Sequence, residues 1–333
     1  MSARHDHSIG TAGIFAAIGL VQGVIFLITH EMWPEPSGPE AAGVLAPAVG
    51  VAISGLCLQL TWAGDASKRW AAVALLTGSM FSALTYWVYA QLDPEGAPFA
   101  GDDSRLVSFW PATVVALYAV GPYLQIFVAS GELRFPYPRL FFHAWNNALI
   151  ALFGAAYCLV FSLVVWLTTG LFSMIQIRVI DDITGSPRFW WITLPVLFGL
   201  GLATGSENVR VIDSVRGALL AVLRLLLPPF VVIAAVFLLA LPFTGLTTIW
   251  ATGYAAPLLL STIVVGILFL NADLDDGERS VAYGRAREMV GALTSLLLPA
   301  FAALALHSLY LRIDQHGVTP ERFLGVVAGC VMS

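Results

Sequence analysis

Apolar residues in this chain fall into long runs parted by short polar stretches. The runs lie near residues 11–29, 43–62, 70–91, 106–129, 145–170, 189–205, 225–244, 254–271 and 289–311, and a tenth begins at Phe323. A helix needs about 20 apolar residues to cross roughly 30 Å of hydrocarbon, and these runs fit that length. The ten-residue alternation that a membrane barrel requires is absent. The pattern predicts an all-α fold: a polytopic transmembrane helix bundle with nine full spans and a truncated or half-length tenth. The chain divides into an N-terminal four-span region, 1–133, and a second membrane region, 134–333.

Composition strengthens this. Hydrophobic residues make up 58% of the 333 and charged residues only 11%, against about 45–50% and 25% in soluble domains. The net charge of −5 resides in loops, and no basic run suggests nucleic acid. Membrane lipids are the expected partners; protein partners and oligomeric state are left open by the residues. Cys57, Cys158 and Cys330 sit far apart in apolar runs and read as packing residues. "ITHEMWPEPSG" follows the first run where a small-residue cleavage site would stand, so that run is an uncleaved anchor.

Charge also sets the orientation. With the N-terminus inside, eleven Lys and Arg residues face the cytoplasm and five face the other side. The positive-inside rule therefore predicts a cytoplasmic N-terminus. Gly19 with Gly23, and Gly201 with Gly205, form GxxxG pairs that let helix backbones approach closely. Trp62 and Trp70 bracket one loop, and Trp190 and Trp191 open another span, as amphipathic indoles do at headgroup level. In residues 209–227, Arg210, Asp213, Arg216 and Arg224 interrupt an apolar stretch ahead of Pro228-Pro229. That segment is expected along the cytoplasmic interface, with the prolines bending the chain into the seventh span.

Candidate chemistry is sparse. HExxH, CxxC, GxSxG and P-loop motifs are missing, and no cofactor is implied. His143, Asn146 and Asn147 share one helical face. They either bind a lipid headgroup or polar solute, or anchor the start of the fifth helix. Asn271 precedes Asp273, Asp275 and Asp276, a D-x-D-D cluster that is either a cation site or a solvated loop. Arg216 and Arg224 either hold an anionic headgroup or snorkel to the interface. His307, with Ser308 and Tyr310, falls on the opposite membrane face from His143. The middle of nearly every span is apolar, which disfavours an ion-coupled transporter.

Several short motifs from about residue 141 onward carry a resemblance. They are Trp145 and Asn147, Leu152-Phe153, Trp166-Leu167, "LFSMIQI" at 171–177, Pro187 with Phe189, Phe198-Gly199, and the closing "LRIDQHGVTPER". Together they resemble DUF4153, a family of uncharacterised bacterial multi-pass membrane proteins. Gln176 stands where that family usually has Gly. The resemblance implies a bacterial inner (plasma) membrane location and no particular activity.

Three functions follow as expectations. The first is a membrane-embedded binding, scaffolding or sensing module without a recognised catalytic motif. The second is a carrier for a lipid or amphiphilic solute, and the third an enzyme acting on lipid headgroups. At the C-terminus, Gly317 allows a turn, Thr319 suits an N-cap and Pro320 the first helical position. Only eleven residues follow from Phe323, so the chain is expected to be a fragment of a longer one, with a re-entrant half-helix as the other reading.

Overall fold

The computed structural model describes residues 3–32, 38–62, 67–91, 103–174, 179–245, 254–274, 285–317 and 319–332. Among them every regular element is a helix: α1 (Ala3–Glu31), α2 (Gly38–Leu60), α3 (Lys68–Ala90), α4 (Asp103–Ser130), α5 (Tyr137–Met174), α6 (Val179–Thr184), α7 (Pro187–Glu207), α8 (Val209–Thr244), α9 (Ala255–Leu274), α10 (Arg285–His316) and α11 (Pro320–Met332). Nine of the described helices are long and apolar enough to cross a membrane, and the short α11 is a tenth apolar helix. The protein is an all-α polytopic bundle, as the hydrophobic pattern predicts.

Several helices start earlier than the apolar runs suggest, and α5 and α8 are the two that bear on the candidate residues. α5 begins at Tyr137 rather than at residue 145, because Pro138 is tolerated in a first helical turn. Its 38 residues extend about 57 Å. α8 joins the segment expected along the interface and the seventh span in one helix: its 36 residues run from Val209 through Pro228, Pro229 and Pro242. Each proline removes one N–H and leaves the rest of the ladder intact, and neighbouring helices in a bundle tolerate that loss. At about 54 Å, α8 exceeds the hydrocarbon thickness, so part of it lies outside wherever the membrane sits.

Packing divides the chain into two compact units. One comprises Met1–Asp102 and Thr113–Ser214, the other Asp103–Ala112 and Val215–Ser333. That partition follows packing; the division after residue 133 follows motif content.

In the first unit, α7 lies between α1 and α5. Small residues make both contacts possible. A Cβ at Gly19 would strike the Pro195 carbonyl, and one at Gly23 would lie 2.8 Å from Ile192 Cα. Pro195 has no N–H to give its own helix, so the carbonyl of Trp191 loses its usual donor. Gly23 packs directly on that turn, 2.9 Å from the Trp191 carbonyl at its Cβ position. On α7's other side, a Cβ at Gly201 would fall 2.6 Å from Gly154 Cα of α5, and Gly205 faces Ile150 and Phe153. Both GxxxG pairs thus serve close backbone contact.

α2 and α3 bury Val49, Ile53, Cys57, Ala74 and Phe81 between them. At one end of this pair the rings of Trp62 and Trp70 meet edge-on with centroids 5.1 Å apart. Trp70 Nε1 donates to the Leu58 carbonyl at 2.9 Å, so the indole is held at the helix end.

The second unit has its own core of Ala234, Leu259, Ile263, Leu298, Phe301, Ala302 and Ala305, with Phe237 stacked on Phe301. Its α10–α11 corner follows the sequence signals. Gly317 takes a positive φ of 77° and its N–H bonds the Ile313 carbonyl, ending α10. Thr319 Oγ1 then accepts from the Arg322 N–H as an N-cap. α11 is 13 residues, about 20 Å. It seats Gly325 and Gly329 on Leu309, Leu306 and Leu260.

Candidate functional site

The sequence candidates separate by unit. His143, Asn146 and Asn147 belong to α5 of the first. Arg216, Arg224, Asn271 and Asp273 belong to the second, while Asp275 and Asp276 lie outside the described residues.

On α5, Asn146 and Asn147 are buried and His143 is half-buried. Asn147 exchanges two hydrogen bonds with Gln125 of α4, each 2.9 Å. Gln125 Nε2 also donates to the carbonyl of Leu60, the last residue of α2, at 2.6 Å. The Tyr118 hydroxyl donates to the Ala144 carbonyl at 3.2 Å. Asn147 is therefore part of a polar clasp joining α2, α4 and α5.

In the second unit, Arg224 Nε donates to the Ala272 carbonyl at 2.7 Å. Ala272 sits in the last turn of α9, where carbonyls lack intrahelical donors and the helix dipole is negative. A half-buried guanidinium there satisfies one of those carbonyls and places a cation at the favoured end. The same turn carries Asn271, half-buried, and Asp273, buried. Arg216 lies two helical turns earlier on α8. No group of three His, Cys, Asp or Glu residues suited to a metal occurs among the described residues.

The largest chemical surprise lies elsewhere, on residues within apolar runs. A crevice of about 730 Å³ runs along α7, lined by Pro187, Trp190, Trp191, Leu194, Pro195 and Phe198 on one face of that helix. Its other walls are Gln22 and Phe26 of α1, Ala52, Leu56 and Gln59 of α2, Cys158 of α5, and Gly185. The volume is that of a small-molecule site. None of these residues carries a charge.

Two glutamine side chains, 8% and 4% exposed, give the crevice its polarity. Gln22 Nε2 donates to the Ala52 carbonyl at 2.9 Å. Gln59 Nε2 donates to the Phe15 carbonyl at 3.1 Å. Glycines make room for both amides: a Cβ at Gly55 would strike Gln22, and one at Gly199 would come 2.9 Å from Gln59 Nε2. Trp191 closes against Phe26 and His30, with centroids 6.3 and 5.6 Å away. Beyond it, Arg188 Nε meets Glu31 Oε1 at 2.8 Å, an exposed ion pair joining the end of α1 to the start of α7.

A second crevice, about 820 Å³, lies between α1, α2 and α3 and includes Ser54, Ser79 and Ser82. Gln22 lines both. Neither Gln22 nor Gln59 stood out in the sequence, where each is one amide in an apolar run. Their signal was energetic: an amide in hydrocarbon costs several kcal/mol unless a partner meets it, so each needed one.

Compared with models of known protein families, with curated proteins and with solved structures, the chain matches none.

Proposed function

We propose that this integral membrane protein is a binding module for an amphiphilic lipid, taken up in the crevice between α1, α2 and α7. One observation carries this reading: an uncharged, largely apolar crevice of about 730 Å³ in which two buried glutamine amides are held by backbone carbonyls. An apolar wall favours an acyl chain, and fixed amides favour a polar group at a set position. The positive-inside count supports a cytoplasmic N-terminus. In that orientation the Trp190 and Trp191 end faces away from the cytoplasm and Gln59 lies near the cytoplasmic side. A bacterial inner membrane is the location that the DUF4153 resemblance implies.

The test is the lipid that copurifies with the chain, identified by mass spectrometry after mild extraction. Leu56→Trp, which fills the crevice, should lower retention of that lipid at equal folded yield. Equal retention by this variant would remove the reading. A second function, carriage of the amphiphile, is favoured by Gln22, whose side chain borders both cavities. It predicts lipid transfer between vesicles that Leu56→Trp slows.

A further inference from the structure

The chemistry around Gln59 narrows the ligand, taking the lipid-binding reading of the crevice as its basis. Gln59 is the more deeply buried of the two glutamines and lines this crevice but not the one between α1, α2 and α3. One N–H of its amide is committed to Phe15. Its oxygen accepts no hydrogen bond from a described residue, yet it is not sealed from the surface. The amide, set beside Gly199 next to Phe198, thus has an oxygen and a second N–H that meet no partner among the described residues.

Each lipid class answers that pair differently. An anionic headgroup would enter with a full charge and find no cation on the walls, which is costly away from water. An ester-only lipid accepts hydrogen bonds but cannot donate, leaving the Gln59 oxygen unmet. A hydroxyl does both. Position agrees, because Gln59 is one residue from the end of α2 and Trp190 lies about 12 Å away from Phe198 along α7. A hydroxyl at Gln59 leaves its chain lying along Leu194, Pro195 and Trp190.

We propose that Gln59 recognises the hydroxyl of a neutral lipid, of the diacylglycerol or long-chain alcohol type, whose chain occupies the α7 trough. Gly199 permits this by leaving space for the amide beside Phe15.

The experiment measures binding of dioleoylglycerol, its O-methyl ether, trioleoylglycerol and dioleoyl-phosphatidylglycerol to the full chain in detergent. Dioleoylglycerol should bind about ten-fold more tightly than the other three, the worth of one buried neutral hydrogen bond. Gln59→Leu should erase that preference, so that dioleoylglycerol binds the variant no more tightly than its methyl ether does. The methyl ether on the unaltered chain needs no variant, so it decides even if Gln59→Leu fails to fold. The methyl ether binding as tightly as dioleoylglycerol would overturn the hydroxyl assignment, phosphatidylglycerol doing so would overturn the preference for a neutral headgroup, and either would leave the crevice as a general lipid site. A preference that survives in Gln59→Leu would overturn the role of Gln59. If none of the four binds, or Leu56→Trp binds all of them unchanged, the crevice reading itself falls.

Discussion

Gln22 and Gln59 cross one helix pair in opposite directions, each donating its amide to the other helix's backbone. Gln22 of α1 reaches Ala52 of α2, and Gln59 of α2 reaches Phe15 of α1. The donor and the acceptor lie seven residues apart on each helix, about 10 Å along the axis. Antiparallel helices related by an approximate two-fold produce this arrangement. Hydrogen bonds between membrane helices average about 0.6 kcal/mol and reach about 1.7. Gln22→Leu and Gln59→Leu should each lower folding stability in detergent by about that much. At their separation the two losses should add, and a double variant as stable as either single would count against independent bonds.

The α1–α7 contact should tolerate little added volume. At Gly23 a new Cβ meets backbone, Ile192 Cα at 2.8 Å, and backbone cannot swing aside. Gly23→Val should cost about 1–3 kcal/mol, the usual penalty of overpacking. Gly13→Ala on the same helix, where a Cβ would meet nothing within 4 Å, is the control. Thermal midpoints of the two variants in detergent should differ, with Gly13→Ala at the parent value.

A double-mutant cycle can measure the Gln125–Asn147 pair. Asn147→Leu leaves the Gln125 amide with its Leu60 bond but without its side-chain partner. The coupling between Asn147→Leu and Gln125→Leu should be favourable by about 0.6–1.7 kcal/mol. Zero coupling would mean that the two amides act independently. The same variants address the headgroup reading of Asn147, since a pure clasp changes stability and leaves lipid retention alone.

Arg224 should matter to the end of α9. Hydrogen bonds to charged groups contribute about 1.5–3 kcal/mol, so Arg224→Met should destabilise the chain by roughly that amount. Hydrogen exchange at Asn271–Leu274 should quicken in the same variant. Arg224→Lys keeps a cation near the helix C-terminus and should recover part of the loss. An unchanged exchange rate in Arg224→Met would show that the Ala272 bond does not hold the turn.

Orientation is open to a direct check. Reporters fused after Gly101 and after Glu207 should report opposite sides of the membrane, with Glu207 cytoplasmic. Both on one side would break the alternation of the spans.

What the sequence determined by itself was governed by solvent. Runs of apolar residues long enough to cross hydrocarbon have one outcome, because the backbone must satisfy itself, so the class and the approximate place of each span were legible. Local signals were equally direct: Gly317, Thr319 and Pro320 specified the α10–α11 corner without help from the rest of the chain. The early start of α5 and the unbroken α8 were less legible, since proline tolerance depends on neighbouring helices. The crevice belonged wholly to tertiary structure. Gln22, Gln59 and Gly199 are distant in sequence, and each is unexceptional in its own run. Only helix packing sets the amides against Ala52 and Phe15 and leaves room beside Gly199. A hydrogen bond between helices depends on register and distance, which a linear pattern of polarity does not contain.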